Sequence, residues 1–201
     1  MKILNLYAGI GGNRQFWGNE HKITAVELIP EIAEVYQRRF PNDIIIGDAT
    51  KFLEKNYKEF DFIWASPPCQ SHGQYRHNVG VLGKGYAPII PDMSLYSIII
   101  FLKTYFKGNW CVENVKPYYK PLIEPTVVIQ RHLFWSNKDI EPRAFEKNAI
   151  RSKNKISDFD NFEIVEKSCI KNKRQVLRNC VLPELGLYLF EQVNKEPSND
   201  D

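Results

Sequence analysis

The order of apolar runs, turns and helical patterns limits the fold of this chain more than any other sequence feature. Four short apolar runs have the composition of buried strands, and they cover 2–6, 21–26, 43–46 and 60–64. Helical patterns follow the first three runs, over 13–17, 30–40 and 51–57. A repeated strand-turn-helix order predicts a doubly wound, mostly parallel α/β sheet with right-handed crossovers.

The second half of the chain continues this pattern with one interruption. Further helices and strands are predicted over 92–106, 109–112, 133–135 and 183–193. Asp92 is expected to cap the first of these helices. The preceding segment, 71–91, is polar and glycine-rich without clear periodicity, which is typical of a functional or mobile loop.

Length and composition predict one globular domain, because the chain has 201 residues, of which 43% are hydrophobic and 25% charged. The sequence contains no apolar run of membrane-spanning length and no secretory signal pattern. The cysteines lie far apart without a CxxC pair, so we expect no disulfide framework and no metal site. They are Cys69, Cys111, Cys169 and Cys180. These features predict a cytoplasmic protein with reduced thiols.

Basic residues are concentrated between Arg143 and Arg178. This stretch holds ten Lys and Arg against five Asp and Glu, although the net charge of the whole chain is only +3. Local positive charge fits contact with a phosphate backbone, and a solvated surface loop would explain it equally well. The acidic end, 196–201, is expected to be a disordered tail.

A glycine-rich turn follows the first strand and reads Tyr7-Ala8-Gly9-Ile10-Gly11-Gly12. Such a turn lets a ligand approach the backbone closely and offers amide groups to it. Glu27 ends the second strand, where an acidic residue typically binds a ribose. Asp48 follows the third strand and could accept a hydrogen bond from an adenine amino group. These features predict an adenosine-containing cofactor, and the incomplete phosphate-binding motif disfavours a dinucleotide or ATP.

A second loop, Ser66-Pro67-Pro68-Cys69-Gln70, follows the fourth strand. Its two prolines end the strand and stiffen the backbone, so Cys69 lies at the carboxyl end of a central strand. Glu113 closes the fifth strand, and in a parallel sheet both residues would face one crevice. A thiol and a carboxyl beside a cofactor predict covalent catalysis with acid assistance. A buried structural cysteine and a strand-end acid in an ion pair are the alternatives.

These motifs resemble, in order and from one end of the chain to the other, those of the DNA cytosine-5 methyltransferases. The first turn is similar to their S-adenosylmethionine loop, with Tyr7 where phenylalanine is usual, and the Cys69 loop is similar to their nucleophile loop. The other matching segments are Glu113-Asn114-Val115, Gln130-Arg131-His132, Arg174-Gln175 and Arg178-Asn179-Cys180-Val181-Leu182-Pro183. The resemblance implies a Rossmann-like fold of the S-adenosylmethionine-dependent methyltransferases.

The resemblance also implies a role for each matching residue. S-adenosylmethionine, without a metal, would contact Tyr7, Ala8, Gly9, Ile10, Gly11, Gly12, Glu27, Leu28, Asp48, Ala49, Pro67, Asn179 and Val181. A cytosine extruded from duplex DNA would contact Ser66, Pro68, Gln70, Asn114, Gln130 and His132. Catalysis would fall to Cys69, which attacks C6, to Glu113 at the N3 edge, and to Arg131. The products would be 5-methylcytosine and S-adenosylhomocysteine.

Several residues depart from the family's pattern. Ser71-His72-Gly73 stands where an aromatic residue and a serine are usual, and its histidine either contacts nucleic acid or has no catalytic role. Leu133 takes the place of a second arginine, so contact with the cytosine O2 falls to Arg131 or comes from elsewhere. Arg178 replaces a glycine that is common at its position.

The segment that corresponds to the family's target-recognition domain is short. Only 136–173, 38 residues, is present, which is too little for a separate core. We expect a catalytic and cofactor-binding domain over 1–135 and C-terminal motifs over 174–195 that return to it. The reduced basic insertion between them is expected to contact phosphates and to select a short or relaxed target sequence.

DNA is therefore the expected partner, and a cognate restriction endonuclease is a second candidate. The protein is expected to act as a monomer in a bacterial or phage setting. An RNA cytosine-5 methyltransferase is one alternative, since one branch of the family resembles the DNA enzymes yet modifies tRNA. A non-catalytic nucleic-acid-binding relic of the fold is another, against which the intact Cys69 and Glu113 argue.

Overall fold

A computed structural model describes residues 1–145 and 162–195 of the chain. Within these ranges seven strands form one sheet: β1 (Lys2–Leu6), β2 (Lys22–Glu27), β3 (Ile44–Ile46), β4 (Phe62–Ala65), β5 (Asn109–Val115), β6 (Val127–Ile129) and β7 (His132–Ser136). Their order is β3-β2-β1-β4-β5-β7-β6, with β1 to β5 parallel and β7 antiparallel to both of its neighbours. The predicted α/β fold is therefore confirmed. Part of the basic stretch, 146–161, and the predicted tail, 196–201, lie outside the described residues.

The described α-helices are α1 (Pro30–Arg39), α2 (Ala49–Asn56), α3 (Leu82–Lys84), α4 (Ser94–Tyr105), α5 (Phe162–Glu166), α6 (Lys173–Asn179) and α7 (Pro183–Asn194). A 3-10 turn (Tyr57–Glu59) follows α2, and a π-helix (Arg76–Val81) precedes α3. Proline starts α1 and α7, at the position where its missing N–H costs no hydrogen bond. Every helix in the described ranges is too short or too polar to cross a membrane.

Side chains alternate between the two faces of the sheet, as the two-residue period of a strand requires. Along β4, Ile63 faces one apolar cluster, while Phe62 and Trp64 face another. The first cluster includes Leu102 of α4, and the second includes Leu189 of α7. Helices therefore cover both faces of the sheet, and the strand ends are left as the place for a ligand.

The helix predicted over 13–17 is wrong, because the structure has only turns there. Trp17 is buried, and its ring lies 5.9 Å from that of Phe62 and 5.3 Å from that of Phe190, between centroids. Its indole N–H donates to the Gly186 carbonyl at 3.1 Å. Packing against the distant α7 fixes this segment, and local periodicity contains no information about that contact.

Three further details differ from the sequence-based prediction. β6 was not predicted, and it forms a hairpin with β7. The segment 71–91 was expected to lack regular structure, yet it contains the π-helix and α3. Asp92 is not the N-cap of α4, since Met93 occupies that position; the Asp92 Oδ1 instead accepts a hydrogen bond from the Ser94 N–H at 2.9 Å.

The end of the basic stretch packs against the first helix. An apolar cluster joins Val165 of α5, Leu177 of α6 and Ile170, which lies between these helices, to Val35 of α1 and Ile10 of the glycine turn. This cluster holds α6 beside the predicted cofactor turn.

We expect Trp17→Ala to lower the free energy of unfolding by about 3–5 kcal/mol, because it removes a buried ring and leaves a cavity. The neighbouring aromatic residue supplies the control, since Phe16 is 44% exposed. Phe16→Ala should cost less than about 1 kcal/mol. Urea denaturation followed by circular dichroism measures both values, and equal losses would contradict the assigned packing.

Candidate active site

The glycine-rich turn after β1 is held by the acidic residue at the end of β2. The Gly9 N–H donates to Glu27 Oε2 at 2.9 Å, and the Ile29 N–H donates to Oε1 at 3.0 Å. Gly9 has a φ of +54°, in the left-handed region that favours glycine, and open space lies where a side chain would begin. The turn therefore presents bare backbone to whatever binds there.

Gly12, at the end of the turn, is in close contact with the segment that follows α6. A side-chain carbon at this position would collide with the Cys180 Sγ and with the Val181 carbonyl oxygen. Glycine is required because the residues after α6 pack directly on its backbone. Gly11 turns away from this contact, toward the ring of Tyr36.

Polar side chains that follow β1 and β3 are joined by hydrogen bonds beside the glycine turn. The Asp48 Oδ1 caps α2 by accepting from the N–H of Thr50 at 2.9 Å and of Lys51 at 3.1 Å. The Tyr7 hydroxyl lies 2.8 Å from the Thr50 Oγ1. Burial raises the pKa of Tyr7, so its phenol is neutral near pH 7.

These groups surround an inner cavity of about 410 Å³ at the carboxyl ends of the parallel strands, a volume typical of small-molecule sites. All but one of the residues predicted to contact the cofactor line it: Tyr7, Ala8, Gly9, Ile10, Gly12, Glu27, Leu28, Asp48, Ala49, Pro67, Asn179 and Val181. It is also lined by Ser66, Pro68, Gln70, His132, Cys69 and Glu113. The structure thus brings most of the predicted site together.

The Cys69 loop is held from both sides. Asn114 donates from Nδ2 to the Pro67 carbonyl at 2.9 Å, and Asn114 is itself buried within β5. The N–H groups of His72 and Gly73 both donate to the Cys69 carbonyl at 3.0 Å. These bonds and the two prolines fix the position of the Cys69 side chain.

His72 anchors this loop from behind. Its side chain is fully buried; Nε2 lies 2.9 Å from the Asp92 carbonyl oxygen and Nδ1 lies 2.5 Å from the Tyr119 hydroxyl. Because a carbonyl only accepts, Nε2 carries the hydrogen and Nδ1 accepts from the phenol. Burial lowers the pKa of His72, which is consistent with this neutral form. His72 therefore has a structural contact and does not line the inner cavity.

Burial dominates the electrostatics of Cys69 and Glu113. It raises the pKa of Cys69 to about 11, with a further contribution from the charge of Glu113, while Arg131 acts in the opposite direction. Burial raises the pKa of Glu113 to about 7, against the Ser66 hydrogen bond and Arg131, which lower it. Near pH 7 the thiol is therefore neutral and the carboxyl is about half protonated, so Glu113 can donate a proton.

His132 lies beside Glu113 without forming an ion pair. Its Nε2 is 3.7 Å from the Glu113 Oε1, a distance that would suit a salt bridge. Burial, however, lowers the pKa of His132 to about 3, so the imidazole is uncharged at neutral pH. The contact is therefore one between an uncharged His132 and the buried carboxyl of Glu113.

An outer cavity of about 550 Å³ meets the inner one at Cys69. The residues that line both are Cys69, Gln70, Val115, Arg178 and Asn179. The described lining of the outer cavity contains no acidic residue. It contains six cationic residues, which are Arg76, Lys84, Lys116, Arg131, Arg174 and Arg178. The outer cavity is therefore suited to a polyanion.

Three of the predicted site residues do not line either cavity. Gly11 faces α1, and Asn114 holds the Cys69 loop. Gln130 occupies the turn between β6 and β7, with a φ of +55°, and its Nε2 donates to the Phe145 carbonyl at 3.3 Å. Arg131, in the same turn, lines the outer cavity only.

Sequence reasoning missed several cavity-lining residues. Thr50, Asp92 and Ser94 line the inner cavity, and Tyr75, Arg76, Lys84 and Tyr86 line the outer one. The four outer-cavity residues lie in or beside the π-helix and α3, a segment whose sequence shows no helical periodicity. Among the described residues, no three His, Cys, Asp or Glu side chains are grouped so as to hold a metal ion.

Comparison with known proteins decides the family. Residues 1–100 match the model of the family described as C-5 cytosine-specific DNA methylase. The chain belongs to this family. The matched residues include the glycine turn, Glu27, Asp48 and the Cys69 loop of the candidate site. A search of curated proteins finds no match.

Solved methyltransferases resemble this chain only in part. The Entamoeba histolytica methyltransferase EhMeth is 15% identical with a TM-score of 0.38, and 57% of this chain and 38% of that one are covered. The S. pombe Dnmt2 methyltransferase is 20% identical with a TM-score of 0.39, and 57% of this chain and 34% of that one are covered. The chain thus spans little more than a third of the length of these proteins.

The pKa shifts predict how Cys69 reacts with iodoacetamide. Because only the thiolate reacts, alkylation of the wild-type protein should be slow at pH 8 and should rise about tenfold per pH unit toward pH 11. Glu113→Gln removes a neighbouring negative charge and should lower the Cys69 pKa, whereas Arg131→Gln should raise it. Peptide mass spectrometry measures the rates, with the exposed Cys169 as the internal reference.

The two variants are a matched pair, since each replaces one charged neighbour by a neutral amide. Shifts of the Cys69 rate in the same direction would contradict the assigned electrostatics, and so would a Cys69 rate at pH 8 equal to that of Cys169.

Proposed function

We propose that this chain transfers the methyl group of S-adenosylmethionine to C5 of a cytosine in nucleic acid, and that this nucleic acid is DNA rather than RNA. The observation that carries the proposal is the position of Cys69, where the inner and outer cavities meet. Glu113 lines the inner cavity beside it. At this junction Cys69 would contact both a bound small molecule and a polyanion, with the proton donor Glu113 in the inner cavity.

The residues of the inner cavity fit S-adenosylmethionine. The open backbone at Gly9 leaves room for a ligand against the turn. Two backbone N–H groups already orient the Glu27 carboxylate, whose other lone pairs can accept from ribose hydroxyls. Leu28 is 65% exposed at the cavity wall and offers apolar surface to a base. Asp48 would accept from the adenine amino group.

Cys69 and Glu113 supply the chemistry of the protein. S-adenosylmethionine, when bound, supplies an electrophilic methyl group and a positive charge. Cytosine C5 is a poor nucleophile in the neutral aromatic ring, so Cys69 first loses its thiol proton to water and adds to C6 as the thiolate, while Glu113 gives its proton to N3. The electron pair of the former double bond is then available at C5. After methylation, C5 loses its proton to water, N3 returns its proton to Glu113, and the C6–S bond breaks.

The outer cavity would receive the nucleic acid. Six cations can contact the phosphates on either side of an extruded nucleotide. Tyr75 and Tyr86, which line the same cavity and are 61% and 49% exposed, offer rings on which bases can stack. DNA is placed first because the family model describes DNA methylases. RNA has the same charged phosphates, so the test compares the two.

We expect the wild-type protein to form 5-methylcytosine when it is incubated with labelled S-adenosylmethionine and unmethylated DNA. Mass spectrometry of the digested nucleosides identifies the product, and an equal amount of unmodified RNA is tested in parallel. Cys69→Ser should lower the rate by at least about 10³-fold, because the adduct cannot form. Cys169→Ser is the matched control, since Cys169 is exposed and lines neither cavity.

Each outcome has a definite meaning. Wild-type activity in Cys69→Ser would rule out the covalent mechanism. Product on RNA alone would assign the substrate to RNA. Absence of product on both nucleic acids would reject the proposed function.

A further inference from the structure

Ser71 and His72, which follow the Cys69 loop directly, bind both backbone groups of Asp92. The Asp92 N–H donates to the Ser71 Oγ at 2.9 Å, and the His72 Nε2 lies 2.9 Å from the Asp92 carbonyl oxygen. Asp92 lines the inner cavity, and so does Ser94, whose N–H donates to the Asp92 Oδ1. The segment that carries Cys69 is therefore tied to a wall of the inner cavity through the backbone of one residue.

His72 is also part of a chain of hydrogen bonds whose direction is fixed. The Leu122 N–H donates to the Tyr96 hydroxyl at 3.2 Å, which donates to the Tyr119 hydroxyl at 3.4 Å. The Tyr119 hydroxyl lies 2.5 Å from the His72 Nδ1. A backbone N–H at one end only donates and the Asp92 carbonyl at the other end only accepts, so each group between them has one orientation. This chain requires a neutral His72 with its hydrogen on Nε2.

The backbone of His72 holds the Cys69 loop as well. Its N–H donates to the Cys69 carbonyl at 3.0 Å, and its own carbonyl accepts from the Tyr118 N–H at 3.1 Å. The side chain of His72 is fully buried. Its truncation would remove one hydrogen-bond partner from the Tyr119 hydroxyl and one from Asp92, and would leave a cavity behind the Cys69 loop.

We propose that His72 is a positioning residue, which holds Asp92 in the wall of the inner cavity and Cys69 at the junction of the cavities in one fixed arrangement. The inference rests on the proposed function, since it requires S-adenosylmethionine in the inner cavity. His72 acts through Asp92 and through the Cys69 backbone. A carboxylate in this wall favours a ligand with a positively charged amino group, which S-adenosylmethionine and S-adenosylhomocysteine both have.

Calorimetric titration with S-adenosylhomocysteine tests the cofactor side. His72→Ala should raise the Kd by about tenfold, the effect of losing roughly one buried hydrogen bond. His72→Gln should bind almost as the wild type does, because its amide N–H can still donate to the Asp92 carbonyl. Tyr119→Phe removes the other partner of the ring and should raise the Kd by a smaller factor. His77→Ala is the matched control and should leave the Kd unchanged, since this histidine stacks on Tyr118 and does not line the inner cavity.

Kinetics with DNA test the side of the nucleophile. His72→Ala should lower kcat by about tenfold even at saturating S-adenosylmethionine, because Cys69 is no longer held in position. Asp92→Ala keeps both backbone groups that Ser71 and His72 bind and removes only the carboxylate. It should therefore raise the KM for S-adenosylmethionine, and its kcat should fall less than that of His72→Ala.

A spectroscopic measurement tests the direction of the hydrogen bonds. Long-range ¹H–¹⁵N correlation spectra at pH 7 should show a hydrogen on the His72 Nε2 and none on Nδ1. The signals of His72 are identified by their loss in His72→Gln. A hydrogen on Nδ1 would overturn the assigned chain and the inference with it.

The outcomes separate this inference from the proposed function. Unchanged Kd and kcat in His72→Ala would overturn the inference alone. Equal losses in His72→Gln and His72→Ala would assign His72 to packing only and would also overturn it. Absence of S-adenosylhomocysteine binding by the wild-type protein would instead overturn the proposed function. Circular dichroism checks folding; if His72→Ala is unfolded, Tyr119→Phe decides, and unchanged Kd and kcat in that variant would overturn the inference.

Discussion

The parallel pairing of β4 with β5 is the contact on which the candidate site depends. Both strands run in the same direction, so the loop after β4 and the end of β5 leave the sheet side by side. Asn114 joins them by donating to the Pro67 carbonyl. Cys69 and Glu113 line one cavity for this reason, although they are far apart in the sequence. The glycine turn after β1, the other neighbour of β4, completes the cavity beside them.

Burial of this junction determines the state of its groups before any ligand binds. The pKa of Cys69 is raised to about 11 and that of Glu113 to about 7. Near neutral pH, Glu113 is thus prepared to donate a proton, whereas Cys69 is a neutral thiol whose thiolate form would be favoured by positive charge beside it. Arg131 provides part of that charge in the free protein. In the proposed reaction, attack is therefore coupled to the filling of both cavities.

The parallel sheet, the glycine turn and the Pro-Pro-Cys loop could be predicted because their sequence signals are local. Asn179 and Val181, which line the same inner cavity, were expected there only from the family resemblance. β6 was missed because Val127–Ile129 is only three residues long and is defined by its pairing with β7. The helix predicted over 13–17 is wrong because contacts of Trp17 with α7 determine this segment, and the local sequence does not reveal them. The position of Arg178 at the junction was not predictable either, since it depends on how α6 packs against α1.

Covalent attack by Cys69 is tested most directly with 5-fluorocytosine, whose fluorine cannot leave C5 as the proton does. The wild-type protein and S-adenosylmethionine are incubated with duplexes of random sequence in which 5-fluorocytosine replaces cytosine in one strand. Intact-mass and peptide mass spectrometry should find nucleotide bearing one added methyl group attached to Cys69. Attachment at another residue, or methylated base without any attachment, would contradict the mechanism.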